Sequence, residues 1–349
     1  MLAVSYPPHR VRTPGMTTVE IRPLGATGLR VSRIGLGLAA LGRPGYMTLG
    51  HAEDLQGNYD VAAMYARAAA VLDAAWDAGV RYVDTARSYG RGEEFLSRWL
   101  ASREIAPPAV VVGSKWGYTY TAGWRVDAET HEVKDHSLAT LQRQVAESRA
   151  LLGAQLDLYM IHSATLASGV LDDGAVIGRL AELRARGLKI GLSLTGAKQA
   201  ETLHRAMAIR VAGARVFDVA EGTWNVLEPS AGPALRAAHD AGLGVIVKEG
   251  LANGRLTGRN ADPRFAAARR VLDAEATRLH TTIDALALAA ILAQPWVDVA
   301  LSGAATVDQL RSNLTAASVR FDTQAAARLA AIAEEPAVYW TTRSRLSWN

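Results

Sequence analysis

Short apolar runs rich in β-branched residues alternate along this chain with longer, Ala-rich stretches of helical period. The runs predict strands at 33–38 (RIGLGL), 81–84 (RYVD), 109–113 (AVVVG), 156–161 (LDLYMI), 189–193 (KIGLS), 215–219 (RVFDV), 244–248 (GVIVK) and 297–301 (VDVAL). The stretches between them predict helices at 61–78, 93–102, 137–152, 175–186, 197–209, 230–241, 276–293 and 306–318. Gly79, Gly153, Gly187, Gly213 and Gly242 stand where helix C-caps belong. The segment LGATGLRV predicts a hairpin ahead of the first strand. Eight strands alternating with eight helices, with no linker or low-complexity break, predict one domain over 1–349 in the α/β class, a (β/α)8 TIM barrel. A doubly wound open sheet shares this rhythm. It expects a GxGxxG turn between the first strand and its helix, and none is present there.

Composition narrows the classes. The chain has 349 residues, 49% of them hydrophobic, which is enough for one large core. Its formal charge is +4 with no run of five like charges, so neither nucleic acid nor a membrane surface is an expected partner. The absence of cysteine excludes disulfides, thiol catalysis and thiolate metal sites, and fits a cytoplasmic location. The longest apolar stretch, 285–293, is too short to span a bilayer. Residues 1–17 lack the apolar core of a signal peptide and are expected to be a flexible extension, with Met16 an alternative start.

A barrel of this kind works at the C-terminal ends of its strands. Those ends carry Asp84, with Thr85 and Tyr89 beyond it, then Lys115, His162-Ser163, Ser193, Glu221 with Trp224 and Asn225, Lys248-Glu249 and Ser302-Gly303. Lys115 is the least ordinary of them. An ammonium at the end of a buried strand is costly unless paired, and Asp84 on the preceding strand is its natural partner. The histidines at 131, 136 and 162 show no ligand spacing, so no metal is expected.

The segments GVRYVDTARSYGRGEE, VVVGSKWG and LDLYMIHS, in this order, resemble the signature segments of the aldo-keto reductases. IRPLGATGLRVSRIGLGLAALG resembles that family's N-terminal hairpin and first strand, and ALSGAATVDQLRSNLTA its cofactor-binding strand and helix. The resemblance covers roughly residues 19 to 320. It implies a nicotinamide cofactor held without a Rossmann fold, and a catalytic tetrad at Asp84, Tyr89, Lys115 and His162. Carbonyl reduction needs a hydride on carbon and a proton on oxygen. A tyrosine near its ordinary pKa of ~10 is a weak acid at neutral pH, so Lys115 is expected to lower it. His162 is expected to donate a hydrogen bond to the carbonyl oxygen.

The same resemblance implies a cofactor site at Gly37, Leu38, Ser193, Glu221, Lys248, Gly303, Ala304, Gln309 and Asn313, with NADP(H) preferred and NAD(H) as the alternative. Gln309 stands where many NADPH-preferring relatives carry arginine, Glu221 where glutamine is usual, and Lys248 where a tyrosine commonly stacks on the nicotinamide. The charge of Lys248 then calls for Glu221 or Glu249 as a balance. The aromatic-rich loop after the third strand and the tail at 336–349 are expected to wall the substrate pocket through Trp116, Tyr118, Trp224 and Trp340, favouring a bulky apolar or sugar-like carbonyl. The expected activity is NAD(P)H-dependent reduction of an aldehyde, ketone or sugar-like carbonyl, or the reverse oxidation. The alternatives are a cofactor-sensing regulatory subunit of the same fold and a Schiff-base lyase using Lys115.

Overall fold

The computed structural model describes residues 19–349, so the extension expected over 1–17 lies outside the described residues. Eight parallel strands close on themselves: β1 (Ile34–Gly37), β2 (Tyr82–Asp84), β3 (Val111–Trp116), β4 (Leu156–Ala164), β5 (Lys189–Leu194), β6 (Val219–Thr223), β7 (Gly244–Lys248) and β8 (Val299–Ser302). Each strand pairs with its neighbours in the chain, and β8 returns to β1 through Ala300↔Ile34. The protein is therefore a (β/α)8 barrel and not an open sheet.

Helices fill the outside: α1 (His51–Leu55), α2 (Val61–Asp77), α3 (Gly92–Ser102), α4 (Leu138–Leu152), α5 (Gly174–Ala185), α6 (Gln199–Ala208), α7 (Gly232–Asp240), α8 (Ala266–Arg278), α9 (Ile283–Leu292), α10 (Val307–Leu314), α11 (Thr323–Ala330) and α12 (Pro336–Ser344). Their spacing explains their docking. Helix α2 buries Met64, Ala68, Val71, Leu72 and Ala75, one stripe at three- and four-residue intervals against the strands. Polar side chains start several helices by accepting orphan N–H groups: Ser137 for α4, Asp173 for α5, Thr282 for α9 and Thr306 for α10.

The inside of the barrel follows the period of two along each strand. Its lower layer is apolar: Tyr82, Val111, Leu158, Met160, Val219, Ile246 and Val299 pack together, and Leu24 and Val31 of the N-terminal hairpin (Ile21–Pro23 with Arg30–Ser32) join them. Glycine makes room for the largest of these groups. A Cβ on Gly113 would stand 2.5 Å from Tyr82 Oη, and one on Gly191 would stand 2.8 Å from Met160 Cγ. Two residues further along six of the eight strands the inward position becomes polar. Tyr82 is followed by Asp84, Gly113 by Lys115, Met160 by His162, Gly191 by Ser193, Val219 by Glu221 and Ile246 by Lys248. The barrel thus changes from oil to charge along its axis.

Several elements differ from the sequence expectation. The sixth strand runs over Val219–Thr223, not 215–219. It must pair with Gly191 on β5 and Gly244 on β7 through Val219, while Ala214–Arg215 folds onto Arg210–Val211 as a small hairpin. Gly213, at φ +80°, turns that hairpin and caps no helix. The helix expected over 276–293 is broken between α8 and α9, where Thr282 caps the second piece and His280 takes φ +51°. The long loop after β3 holds a second hairpin, Tyr118–Tyr120 with Glu132–Lys134, and the tail holds α11 and α12. Among the described residues no helix is long and apolar enough to cross a membrane.

Candidate active site

Asp84 ends β2, Lys115 lies near the end of β3, and Glu221 lies across the barrel on β6. These three converge in the interior, each no more than 1% exposed. Lys115 Nζ donates to Asp84 Oδ1, donates to the Thr85 carbonyl at 3.2 Å, and lies 3.5 Å from Glu221 Oε2. One ammonium therefore serves two carboxylates. Burial pushes the Asp84 carboxyl up to about 7, with the Glu221 charge adding to the rise and Lys115 opposing it. Lys115 is driven the other way from its own desolvation. The two carboxylates and the Tyr89 phenol hold its pKa above the ordinary lysine value, so it stays an ammonium.

Tyr89 sits in the turn between β2 and α3, with the Lys115 ammonium 5.2 Å from its ring centroid. The sequence reading expected Lys115 to lower the phenol pKa, and here the structure differs. Burial raises it and outweighs the pull of Lys115, while Asp84 and Glu221 raise it further. Burial is the main reason, and the second carboxylate adds to it. With Glu221 beside Asp84 the cluster carries no surplus positive charge to favour a phenolate. The Tyr89 phenol therefore stays protonated across the neutral range.

The His162 ring stands edge-on to Tyr89, with centroids 5.5 Å apart and planes at 83°. Its Nδ1 is 3.4 Å from Ser88 Oγ. Burial first, then the charges of Lys115, Lys248 and Arg43, hold it well below the ordinary histidine pKa, so the imidazole is neutral. Its carbonyl accepts from His136 Nε2 at 2.9 Å. The next residue, Ser163, takes φ +54°, and Glu249 after Lys248 takes φ +53°. Both left-handed positions immediately follow an inward strand-end side chain, where local strain serves placement.

Two groups at this end carry weak sequence signals, Ser88 and Arg43. Ser88 is adjacent to the conspicuous Tyr89, so only the fold singles it out. Arg43 lies in the loop after β1 and is 3% exposed. It donates to the Ser88 carbonyl at 3.0 Å and to Glu132 Oε2 at 2.8 Å. Its guanidinium lies 5.2 Å from the Tyr89 ring centroid and 4.7 Å from that of Trp348.

A cavity of about 460 Å³ opens over the charged layer, a size suited to a small-molecule site. Asp84, Tyr89, His162, Glu221 and Lys248 line one end, together with Arg43, Tyr46, Glu132, Glu249 and Arg343; Gly37, Gly303, Ala304, Gln309 and Asn313 line the rest. Leu38 does not reach it, being packed in the outer core with its N–H on the Asp84 carbonyl. Ser193 Oγ is buried without a hydrogen-bond partner among the described residues, as is Glu221 Oε2, and Ser193 pairs with Glu221 across the strands. Ser193 Oγ, an unpaired donor-acceptor beside the Glu221 carboxylate, suits a primary amide such as the carboxamide of nicotinamide, although Ser193 is not among the cavity-lining residues and Glu221 Oε2 faces Lys115 at 3.5 Å. A Cβ on Gly303 would meet no atom within 4 Å, so the backbone ahead of α10 is open to a ligand. These residues fit a nicotinamide dinucleotide.

Lys248 Nζ donates to Thr223 Oγ1 at 2.9 Å and lies 3.7 Å from Glu249 Oε1. Of its two expected partners it has Glu249, since Glu221 is turned to Lys115. Arg343 of α12 grips both oxygens of Glu249, which holds that carboxyl down to about 2 against the opposing effect of burial.

The expected aromatic walls fall elsewhere. Trp116 follows inward-facing Lys115, so the pleat turns it outward into the barrel–helix core, edge-on to His136. Trp224 packs against Trp296, and Trp340 against Tyr339. Tyr118 touches His162 edge-on at 5.0 Å from outside the cavity lining. Of the tail, Arg343 lines the cavity, and Trp348 packs against the Arg43 guanidinium. Among the described residues no group of three His, Asp or Glu side chains is placed to hold a metal ion.

Several proteins are similar to this chain over most of its length. Aldo-keto reductase str7 of Strobilurus tenacellus is 26% identical, covering 90% of this chain and 93% of its own. The NADH-specific methylglyoxal reductase of Escherichia coli is 26% identical, covering 89% and 98%, and L-galactose dehydrogenase of Arabidopsis thaliana is 26% identical, covering 86% and 89%. The solved aldo-keto reductase of Bacillus halodurans superposes with a TM-score of 0.69 over 91% of this chain and 97% of its own, at 20% identity, which speaks to the fold. The Aldo/keto reductase family model matches residues 33–334, from β1 through the segment after α11. With the barrel closed and its inward charged layer in place, the chain is a member of the aldo/keto reductase family, an oxidoreductase family that works with nicotinamide cofactors.

Proposed function

We propose that this protein reduces a polar aldehyde or ketone, with Tyr89 giving the proton to the carbonyl oxygen. The observation that carries this reading is a half-buried phenol kept protonated beside a neutral imidazole and a fixed ammonium, all at one end of the cavity. A nicotinamide cofactor held in this cavity would supply the hydride for the carbonyl carbon. Ser88 Oγ donates to His162 Nδ1, which leaves the proton on Nε2 to be donated to the carbonyl oxygen and orient it. As negative charge grows on that oxygen, the Tyr89 hydroxyl bonds to it and transfers its proton. The phenolate so formed lies beside Lys115, whose ammonium stabilises it until solvent returns a proton. Asp84 and Glu221 keep Lys115 charged and aimed. Ser193 and Glu221 hold the carboxamide, and Gly303, Ala304 and Asn313 the phosphate-bearing half.

The charged residues around the reacting end favour a hydroxylated or otherwise polar carbonyl over a bulky apolar one. Arg43, Glu132, Lys248, Glu249 and Arg343 line it, and Tyr46 and Tyr89 are its aromatics. The methylglyoxal, aldose and L-galactose named for its relatives are of this polar class. A Schiff-base lyase needs a lysine able to lose its proton, whereas Lys115 is held charged by two carboxylates. A purely regulatory role gives no reason for a protonated Tyr89 facing the cavity. The cysteine-free composition fits the cytoplasm. Loss of reduced-nicotinamide absorbance against a panel of aldoses, 2-oxoaldehydes and simple ketones tests the reading. Turnover with one polar carbonyl supports it, and stoichiometric cofactor binding without turnover of any supports the regulatory role.

A further inference from the structure

The choice between NADH and NADPH is made at the end of the cavity away from Tyr89. With the reacting ring placed at Tyr89 and His162, the length of a dinucleotide carries its adenosine half to α10. The charged side chains that line the cavity there are Asp54, Asp284, Asp308 and Arg259, three carboxylates and one guanidinium. The guanidinium is already committed. Arg259 donates to both oxygens of Asp54, at 2.8 Å to Oδ2, and to the Gly50 carbonyl at 3.0 Å. Gln309 is committed as well: its Nε2 donates to Asp54 Oδ2 at 2.8 Å, and its Oε1 accepts from the Ala305 N–H at 2.8 Å. Asn313 Nδ2 donates to Ser302 Oγ at 2.8 Å. Arg311 lies outside the lining, 3.6 Å from Asp308.

We propose that Asp54, held by Arg259 and Gln309, makes this a site for NADH and against NADPH. A 2′-phosphate brings a charge of about −1.5 to −2 and needs several donors. Here it meets three carboxylates, and to recruit Arg259 it must leave Asp54 unpaired. A ribose with free 2′- and 3′-hydroxyls makes no such demand and offers donors to the Asp54 oxygens. The same chemistry sorts the two cofactors in nucleotide-binding folds of other kinds. Asp54 is also fixed in advance. It closes the short helix α1, whose first free N–H groups, on His51 and Ala52, donate to Asn349 Oδ1 at 3.0 and 3.2 Å. This replaces the NADP(H) preference expected from the strand and helix at 299–314, and it rests on the reading of the cavity as a dinucleotide site.

Binding tests it without turnover. The full chain is titrated by calorimetry with NADH, NADPH, 5′-AMP and 2′,5′-ADP. NADH should bind at least ~10-fold more tightly than NADPH, and 5′-AMP more tightly than 2′,5′-ADP. Asp54→Asn should narrow both gaps by improving the phosphorylated ligand, and Asp308→Asn, on an exposed side chain, should narrow them by a smaller factor. Equal or tighter NADPH and 2′,5′-ADP binding to the unmodified chain overturns the proposal, as does an unchanged gap in both variants. If neither dinucleotide binds, the dinucleotide reading itself fails and takes the proposal with it.

Discussion

Asp84, Lys115 and Glu221 form a buried triad in which the ammonium is outnumbered, and this arithmetic governs the residue scale. Removing Lys115 by Lys115→Met leaves two carboxylates with no cation between them. Loss of one partner of a buried ion pair costs about 3–5 kcal/mol, so the thermal midpoint of this variant should fall by several degrees along with its activity. Glu221→Gln removes the second carboxylate facing Lys115 while Asp84 keeps the ammonium paired, and it should lower the Tyr89 pKa. The pH profile reads this directly. In the unmodified protein the phenol is raised above 10, so the reductive rate should hold level from about pH 8, above the range in which Asp84 titrates, to pH 10. Glu221→Gln should bring its decline to lower pH, and an unchanged profile in that variant contradicts the part assigned to Glu221. Asp84, Lys115 and His162 stood out in the sequence because each falls at or near the end of a strand, whereas Tyr89, in the turn after β2, was singled out by the resemblance of its segment to a family signature. The orientation of their neighbours was not: Trp116 and Trp224 are as aromatic in the sequence as any pocket wall, and only the pleat shows that they face away.

At the scale of elements, periodic signals gave most of the strands and helices that the barrel needs, and the N-caps that start several helices are visible only in the structure. Thr281-Thr282 breaks the long apolar stretch into α8 and α9, a stop that an Ala- and Leu-rich pattern hides. The shift of β6 by four residues had no local signal, since 215–219 is as strand-like as 219–223; pairing with β5 and β7 decides it. Helix α1, five residues long, has too little pattern to be seen, yet it carries Asp54. Its stability depends on a distant cap and on a buried neutral histidine. Asn349→Ala should speed hydrogen exchange at the His51 and Ala52 amides while leaving α2 protected; equal rates in both proteins contradict the cap. Burial lowers the His51 pKa from 6.5 to about 4, and that of His136 likewise. Below pH 6.5 the unfolded chain gains protons that the folded chain refuses until about pH 4, so stability is full above 6.5 and falls as the pH drops through that window. Each contributes up to ~3 kcal/mol to the loss. His51→Leu should flatten the fall of the thermal midpoint, and an unaltered slope would show that His51 does not titrate as described.

The whole molecule is a barrel with an apolar floor, closed by the hairpin through Leu24 and Val31, and a charged layer above it. The floor sets the height of the chemistry. Gly113→Ala pushes a methyl to 2.5 Å from Tyr82 Oη, which donates to Asp84 Oδ2 at 3.3 Å. Overpacking of this kind costs about 1–3 kcal/mol, and here it should also lower turnover by disturbing Asp84. A stable variant with full activity contradicts the link between floor and site. Sequence periodicity anticipated the eightfold alternation, but not the loops and tail that roof the barrel, because Arg43, Trp348 and Arg343 come together from segments far apart in the chain with no period to join them.

The central claim is that the cavity passes a hydride to a carbonyl carbon while Tyr89 passes a proton to its oxygen. The direct measurement uses reduced nicotinamide cofactor deuterated at the transferring position, a polar carbonyl such as methylglyoxal or a free aldose, and mass spectrometry of the product for the unmodified protein and Tyr89→Phe. The product should carry one deuterium on the former carbonyl carbon. Tyr89→Phe should slow its appearance by ~100-fold to ~10,000-fold with cofactor binding retained. Product without deuterium, or a substrate adduct trapped on Lys115 by borohydride, would contradict the account.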